Sequence, residues 1–187
     1  ETPGEDPTVN SAYAATFAAA MQGADREHVR ASACLKHHVA YSLEDSDGVD
    51  RHHFNAIVSE RDLADTYLPA FRAGVTQGRA SGLMCSYNEV NGVPMCGNKA
   101  LLNDTVRGKW GFDGYITSDC GGVQDMWQFH NYSADPAAAL VSVLDAGMDT
   151  ECTWGANTFR DTLADAMANG SVRLPVVAGA MKNLLRV

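Results

Sequence analysis

Clustered basic residues are missing from this sequence of 187 residues: 14 Lys and Arg stand against 23 Asp and Glu, a formal net charge of −9. A phosphate-binding surface needs a concentrated positive footprint, so nucleic acid is excluded as a partner and an uncharged or weakly charged ligand is expected. Long apolar runs are also missing. Leu101-Leu102 and Leu184-Leu185 stand among polar neighbours, which excludes a membrane span and points to a soluble chain. There is no CxxC pair. Five cysteines, at positions 34, 85, 96, 120 and 152, are too few for a disulfide scaffold and lack zinc-ribbon or redox spacing, leaving room for one or two bridges. His37, His38, His52 and His53 fall in adjacent pairs rather than at i, i+4, so neither a metal nor another cofactor is expected. The acidic residues Glu44, Asp45, Asp47 and Asp50 miss the EF-hand spacing and read as a solvated loop.

What the chain does have is a hydrophobic fraction of 45%, enough for a real core in one domain or part of a larger one. From about residue 30, short apolar runs alternate with helical patterns, which defines an α/β class built from parallel βα units. Strands are expected over 31–35, 82–87, 114–118 and 146–149. Helices are expected from Asn10, with Ala12, Ala15, Phe17, Ala18 and Met21 as the apolar face, and from Ser59, with Asp62 as capping partner and an interruption at Pro69. Further helices are expected over 99–109, 136–146, 158–169 and from Pro175 onward. Polar residues follow each strand, at the carboxyl ends where barrel enzymes place their sites. Four units make about half of an eight-unit barrel, and half a barrel would leave two open edges, so an incomplete TIM-like barrel, its C-terminal half, is expected. The absence of Met or a signal peptide at Glu1 and the helical pattern running into Val187 suggest that both ends are cut.

Asp119 closes the run Tyr115-Ile116-Thr117-Ser118 and precedes Cys120-Gly121-Gly122, small residues that would let a substrate approach a carboxylate. By residue type alone, capping the next helix is the commoner role for it. Lys36 and His37 could donate hydrogen bonds to several sugar hydroxyls, the Lys also keeping a nearby carboxylate ionised, while His38 reads as a histidine satisfied by backbone carbonyls. Tyr87 could reach Asp119 or stack on a sugar, or simply pack in the core. Cys85 and Cys96 bracket a turn-rich segment and are either a bridge that stiffens it or two buried thiols. Trp110, Trp127 and Trp154 could line a sugar subsite or pack in the interior. Asn103, Asn131 and Asn169 open sequons that would accept glycans in a secreted eukaryotic protein.

Taken together, Glu1-Thr2-Pro3-Gly4-Glu5-Asp6-Pro7, Lys36-His37, Gly48-Val49-Asp50-Arg51, the segment from Met84 to Gly92 and Ser118-Asp119-Cys120 closely resemble glycoside hydrolase family 3, across nearly the whole chain. Ser-Asp-Cys and the opening segment resemble its β-xylosidase and α-arabinofuranosidase branch, since its β-glucosidases usually carry Trp after the Asp. The Val39-Ala40-Tyr41-Ser42 stretch departs from the Pro-Gly-His-Gly loop of its N-acetylglucosaminidases. The resemblance implies Asp119 as nucleophile, Lys36 and His37 on the sugar, Tyr87 beside the nucleophile and Glu1 as a xylose-recognition residue. It implies a secreted, retaining exo-glycosidase removing β-D-xylosyl or α-L-arabinosyl units from xylo-oligosaccharides or similar glycosides. The alternatives are a β-glucosidase of the family or a catalytically incomplete carbohydrate-binding fragment. The second carboxyl of a retaining mechanism is expected from a second α/β domain absent from this chain, so residues 1–187 alone are expected to be inactive.

Overall fold

The computed structural model describes residues 3–25 and 27–186. Helix α1 (Pro7–Gln22) starts three residues before the predicted Asn10, because Asp6 caps it: its carboxylate accepts from the N–H groups of Thr8 (2.7 Å) and Val9 (3.2 Å), and Pro7 occupies the first turn, where its missing N–H costs nothing. The predicted apolar face is buried only in part. Phe17 is 56% exposed and Met21 also lies open, whereas Ala18, packed with Ala33 and Ala80, and Gln22 are buried. Gln22 works as a clamp. Its Nε2 donates to the Arg79 carbonyl (2.7 Å), and its Oε1 accepts from the N–H groups of Ala33 (3.2 Å) and Ser81 (2.8 Å), tying the end of α1 to the starts of two strands.

Strand β1 (Cys34–His38) lies three residues later than the predicted 31–35, so Lys36, His37 and His38 sit within it rather than after it. Two short hairpin strands follow, β2 (Asp45–Ser46) and β3 (Val49–Asp50), joined by Asp47-Gly48 with φ of 54° and 81°. Positive φ at both central residues is the turn that an Asp-Gly pair favours. The acidic run is thus a hairpin, not an open loop. After β4 (Asn55–Ala56) comes α2 (Glu60–Asp62), capped by Ser59, then a π-helical stretch, Leu63–Tyr67, and α3 (Pro69–Thr76). Pro69 has no N–H to give the preceding turn, and the helix restarts at it. Leu63, Tyr67, Leu68 and Phe71 face the core as their spacing predicts, and α1 packs along α3.

Strand β5 (Gly82–Cys85) leads to the hairpin of β6 (Glu89–Val90) and β7 (Val93–Pro94), turned by Asn91-Gly92, and then to a π-helical segment, Ala100–Lys109. Strand β8 (Tyr115–Ser118) is followed by α4 (Gly122–Gln128), α5 (Pro136–Asp145), α6 (Thr158–Ala168) and α7 (Leu174–Leu184). Strands β1, β5 and β8 form one parallel sheet in that order. Leu83, Met95, Leu102, Ile116, Met126 and Met148 fill the core between it and the helices. No helix among the described residues is long and apolar enough to cross a membrane.

The strand predicted at 146–149 is reduced to a single parallel bridge, Thr117 to Thr150. Asp149 is occupied structurally: it accepts from Ile116 N–H (2.7 Å), Arg107 Nη2 (2.5 Å) and Asn183 Nδ2 (2.9 Å). These bonds anchor the chain where a ladder would have run. His38 also departs from expectation. It is fully buried between Phe71 and Trp110, with ring centroids at 4.7 and 6.1 Å, and neither ring nitrogen meets a carbonyl or any other hydrogen-bond partner among the described residues.

Burial pushes the His38 pKa from 6.5 down to about 3. The folded state therefore keeps His38 neutral while the unfolded chain takes up a proton below pH 6.5, so stability falls as pH drops from 6.5 toward 3. At pH 5 the deficit is about 2 kcal/mol. His38→Phe, which keeps an aromatic ring between Phe71 and Trp110, is expected to remove this component. Urea unfolding at pH 5 and pH 7.5 checks it: equal pH dependence in the two proteins would show that His38 carries none of it.

Candidate functional site

Register brings the site together. His38 pairs with Cys85 and Cys85 with Ser118, so the chain leaves all three strands at one edge of the sheet. Between Leu35 and His38, β1 spends three steps where β5 spends two, Leu83 to Cys85, and the extra residue makes an irregularity that holds Lys36 and His37. Such bulges re-aim side chains. The pairing continues past the strands, with Ser86 N–H donating to the His38 carbonyl and Asp119 N–H to the Cys85 carbonyl, each at 2.9 Å.

Asp119 does not cap the following helix. The N-cap of α4 is Gly121 at φ 95°, a left-handed conformation that glycine adopts without strain, and no side chain caps there. The Asp119 Oδ1 instead accepts from Cys120 N–H (2.7 Å), and Oδ2 lies 3.4 Å from His37 Nε2. The Tyr87 hydroxyl donates to the Cys120 carbonyl (3.0 Å). Burial first, then the charge of Asp119 and a hydrogen bond to it, push the Tyr87 phenol well above its usual range and keep it protonated.

These residues border a cavity of about 460 Å³ lined by Lys36, His37, Tyr41, Glu44, Arg51, Tyr87, Asp119 and Trp154. That size falls among small-molecule sites. Of the predicted site residues, Lys36, His37, Tyr87 and Asp119 meet here, and Glu1 lies outside the described residues. Of the three tryptophans, Trp154 reaches the cavity, 87% exposed, while Trp110 and Trp127 pack against the core.

Tyr41, Glu44 and Arg51 carry no role in the sequence reading, yet they form one side of the cavity. Arg51 Nη1 meets Glu44 Oε1 at 2.7 Å, Tyr41 donates to Glu44 Oε2 at 2.8 Å, and the Arg51 guanidinium lies 5.0 Å above the Tyr87 ring centre. Burial and then the Glu44 hydrogen bond push the Tyr41 phenol up to about 12. The signal was Asp47-Gly48. A two-residue turn there pairs Asp45 with Asp50 and makes Glu44 and Arg51 cross-strand neighbours, Arg51 N–H donating to the Glu44 carbonyl at 2.9 Å. Adjacent histidines separate as well: His52 meets Asp125 and His53 meets Asp50.

Two disulfides border the site. Cys85–Cys96 (S–S 2.04 Å) spans the β6–β7 hairpin, and Cys120–Cys152 links the residue after Asp119 to the segment carrying Trp154. Gly121 N–H donates to the Cys152 carbonyl (2.9 Å), and Cys152 N–H to Ser118 Oγ (3.0 Å), so the two loops are stitched on both sides of the sulfurs. Cys34 is free.

A carboxylate beside an imidazole, with Lys, Arg and Tyr donors, thus lines an open cleft near the carboxyl ends of the parallel strands. The chain belongs to glycoside hydrolase family 3: the family's N-terminal domain matches residues 1–187. It is 46% identical over 159 residues to the protein named "Probable beta-D-xylosidase 7" of Arabidopsis thaliana, covering 81% of this chain and 21% of that protein. Among solved structures, it matches a family 3 exo-β-xylosidase in complex with a xylobiose aziridine activity-based probe, with TM-score 0.92 and 31% identity, over 99% of this chain and 25% of that one. It also matches the β-glucosidase of Listeria innocua, with TM-score 0.87 and 28% identity, over 99% of this chain and 25% of that one. The chain thus spans a fifth to a quarter of the relatives it matches.

Closing the loop of sequence separation 32 between Cys120 and Cys152 removes unfolded-state entropy worth about 3–4 kcal/mol. The double substitution Cys120→Ser, Cys152→Ser is expected to lower unfolding free energy by about that amount. Denaturant titration measures it, and a loss below about 1 kcal/mol would mean that the paired loops are held by their hydrogen bonds alone.

Proposed function

We propose that the cavity holds the terminal sugar of a glycoside and that Asp119 attacks its anomeric carbon, in a retaining exo-glycosidase acting on β-D-xylosides. The observation that carries this reading is the Asp119 carboxylate 3.4 Å from His37 Nε2, both lining a cavity also bordered by Lys36 and Arg51. The carboxylate displaces the leaving alkoxide, which takes a proton from a general acid. Water then attacks the glycosyl ester with that residue acting as base, and Asp119 is released. Tyr87, kept protonated, steadies the turn beside the nucleophile. Lys36, His37 and Arg51 donate to ring hydroxyls, Glu1 adds a further contact to xylose, and Trp154 offers a face for the next unit.

The acid/base partner must lie about 5–5.5 Å from the nucleophile in a retaining enzyme. Glu44 borders the cavity, but both its oxygens are engaged, by Arg51 and Tyr41, so it serves as an anchor instead. We assign the acid/base role to a second domain and read the β1-β5-β8 sheet, with the bridge at Thr150, as the C-terminal half of a TIM-like barrel. Two disulfides among five cysteines fit an oxidising compartment, and we place the protein outside the cell.

The intact protein is expected to hydrolyse aryl β-xyloside faster than aryl α-arabinoside or β-glucoside. Asp119→Asn should cut turnover by roughly a thousandfold or more, and a mechanism-based fluoro-xyloside should label Asp119, as read by peptide mass. Labelling elsewhere together with a fully active Asn variant removes Asp119 as nucleophile. Preference for the glucoside moves the protein to the β-glucosidase reading.

A further inference from the structure

Asp125, on α4, is 3% exposed, and nothing in the mechanism above uses it. Its Oδ2 lies 2.7 Å from His52 Nδ1. Burial raises the Asp125 pKa, and the His52 hydrogen bond opposes that rise. The Arg51 guanidinium can only donate, so the His52 nitrogen facing it accepts and Nδ1 carries the ring proton toward Asp125, with the lone pair on Nε2. Arg51 Nε lies 3.4 Å from that nitrogen and donates to it. The same guanidinium reaches Glu44 through Nη1 and covers Tyr87, while the His52 ring packs on the other aromatic neighbours of the site, with centroids 4.5 Å from Tyr87 and 5.7 Å from Phe129.

We propose that Asp125 and His52 form a positioning relay: the buried carboxylate fixes the His52 tautomer, and the fixed tautomer holds the Arg51 guanidinium at the wall of the sugar cavity. This rests on reading that cavity as a sugar site. A histidine free to take its other tautomer would point an N–H at Arg51 Nε, setting donor against donor. Neither relay residue borders the cavity, so the effect reaches substrate only through Arg51.

Steady-state kinetics of the intact protein on aryl β-xyloside test the relay. Asp125→Asn places an amide that can donate to Nδ1 and reverse the tautomer, and His52→Phe keeps a ring on Tyr87 while deleting the acceptor. Each is expected to raise KM about tenfold, the loss of one hydrogen bond to a charged group, with kcat changed less than about threefold. In an Arg51→Gln background, either substitution should add less than about twofold, because the residue it acts through is gone. Multiplicative effects in that background, or unchanged KM in both single variants, overturn the relay. If Asp125→Asn does not fold, His52→Phe decides alone. A wild-type protein inactive on every aryl glycoside overturns the sugar-site reading and the relay with it, whereas an active wild type with unmoved variants overturns the relay only.

Discussion

Parallel pairing of His38 with Cys85 and of Cys85 with Ser118 sets where the chain can leave the sheet, and every candidate site residue on the strands inherits its position from that register. Two backbone bonds past the ladder, into the His38 and Cys85 carbonyls, carry the order onto Ser86 and Asp119. Leu83 and Ile116 pair across the sheet and are both fully buried, so apolar burial helps to hold the register. The site is therefore anchored by residues that never touch it.

Polar groups inside the core serve the same end at a cost in solvation. Asp149 and Arg107 bind one another and the backbone of β8, standing in for a strand that does not form. The Gln22 amide joins α1 to the entrances of β1 and β5. Fully bonded buried groups specify one arrangement because any other leaves them unsatisfied. His38 departs from this, set between the Phe71 and Trp110 rings and carrying the cost of burial in its depressed basicity.

Much of this was legible in residue order. Apolar runs located the β5 and β8 strands, the residues after them contained Tyr87 and Asp119, and Pro69 marked the restart of a helix. Three things escaped for physical reasons. The start of β1 was misplaced because its outer half is Lys-His-His, which no apolar alternation announces. Helix α1 was begun late because its signal is one capping carboxylate, Asp6, rather than periodicity, and its exposed Phe17 and Met21 imitate a core face. The pairing of His52 with Asp125 spans 73 residues and has no local signature at all, whereas Glu44 and Arg51 could have been joined by taking Asp47-Gly48 as a hairpin turn.

Trp154 gives the molecule a property separate from its chemistry. Trp110 and Trp127 sit against the core, where their emission is shielded, while the Trp154 indole stands in solvent at the cavity wall, on a segment that Cys120–Cys152 ties to the nucleophile. The red edge of this chain's tryptophan emission is therefore expected to come chiefly from a side chain whose surroundings would change if a ligand filled the cleft. Occupancy of the cleft becomes an optical signal that needs no label.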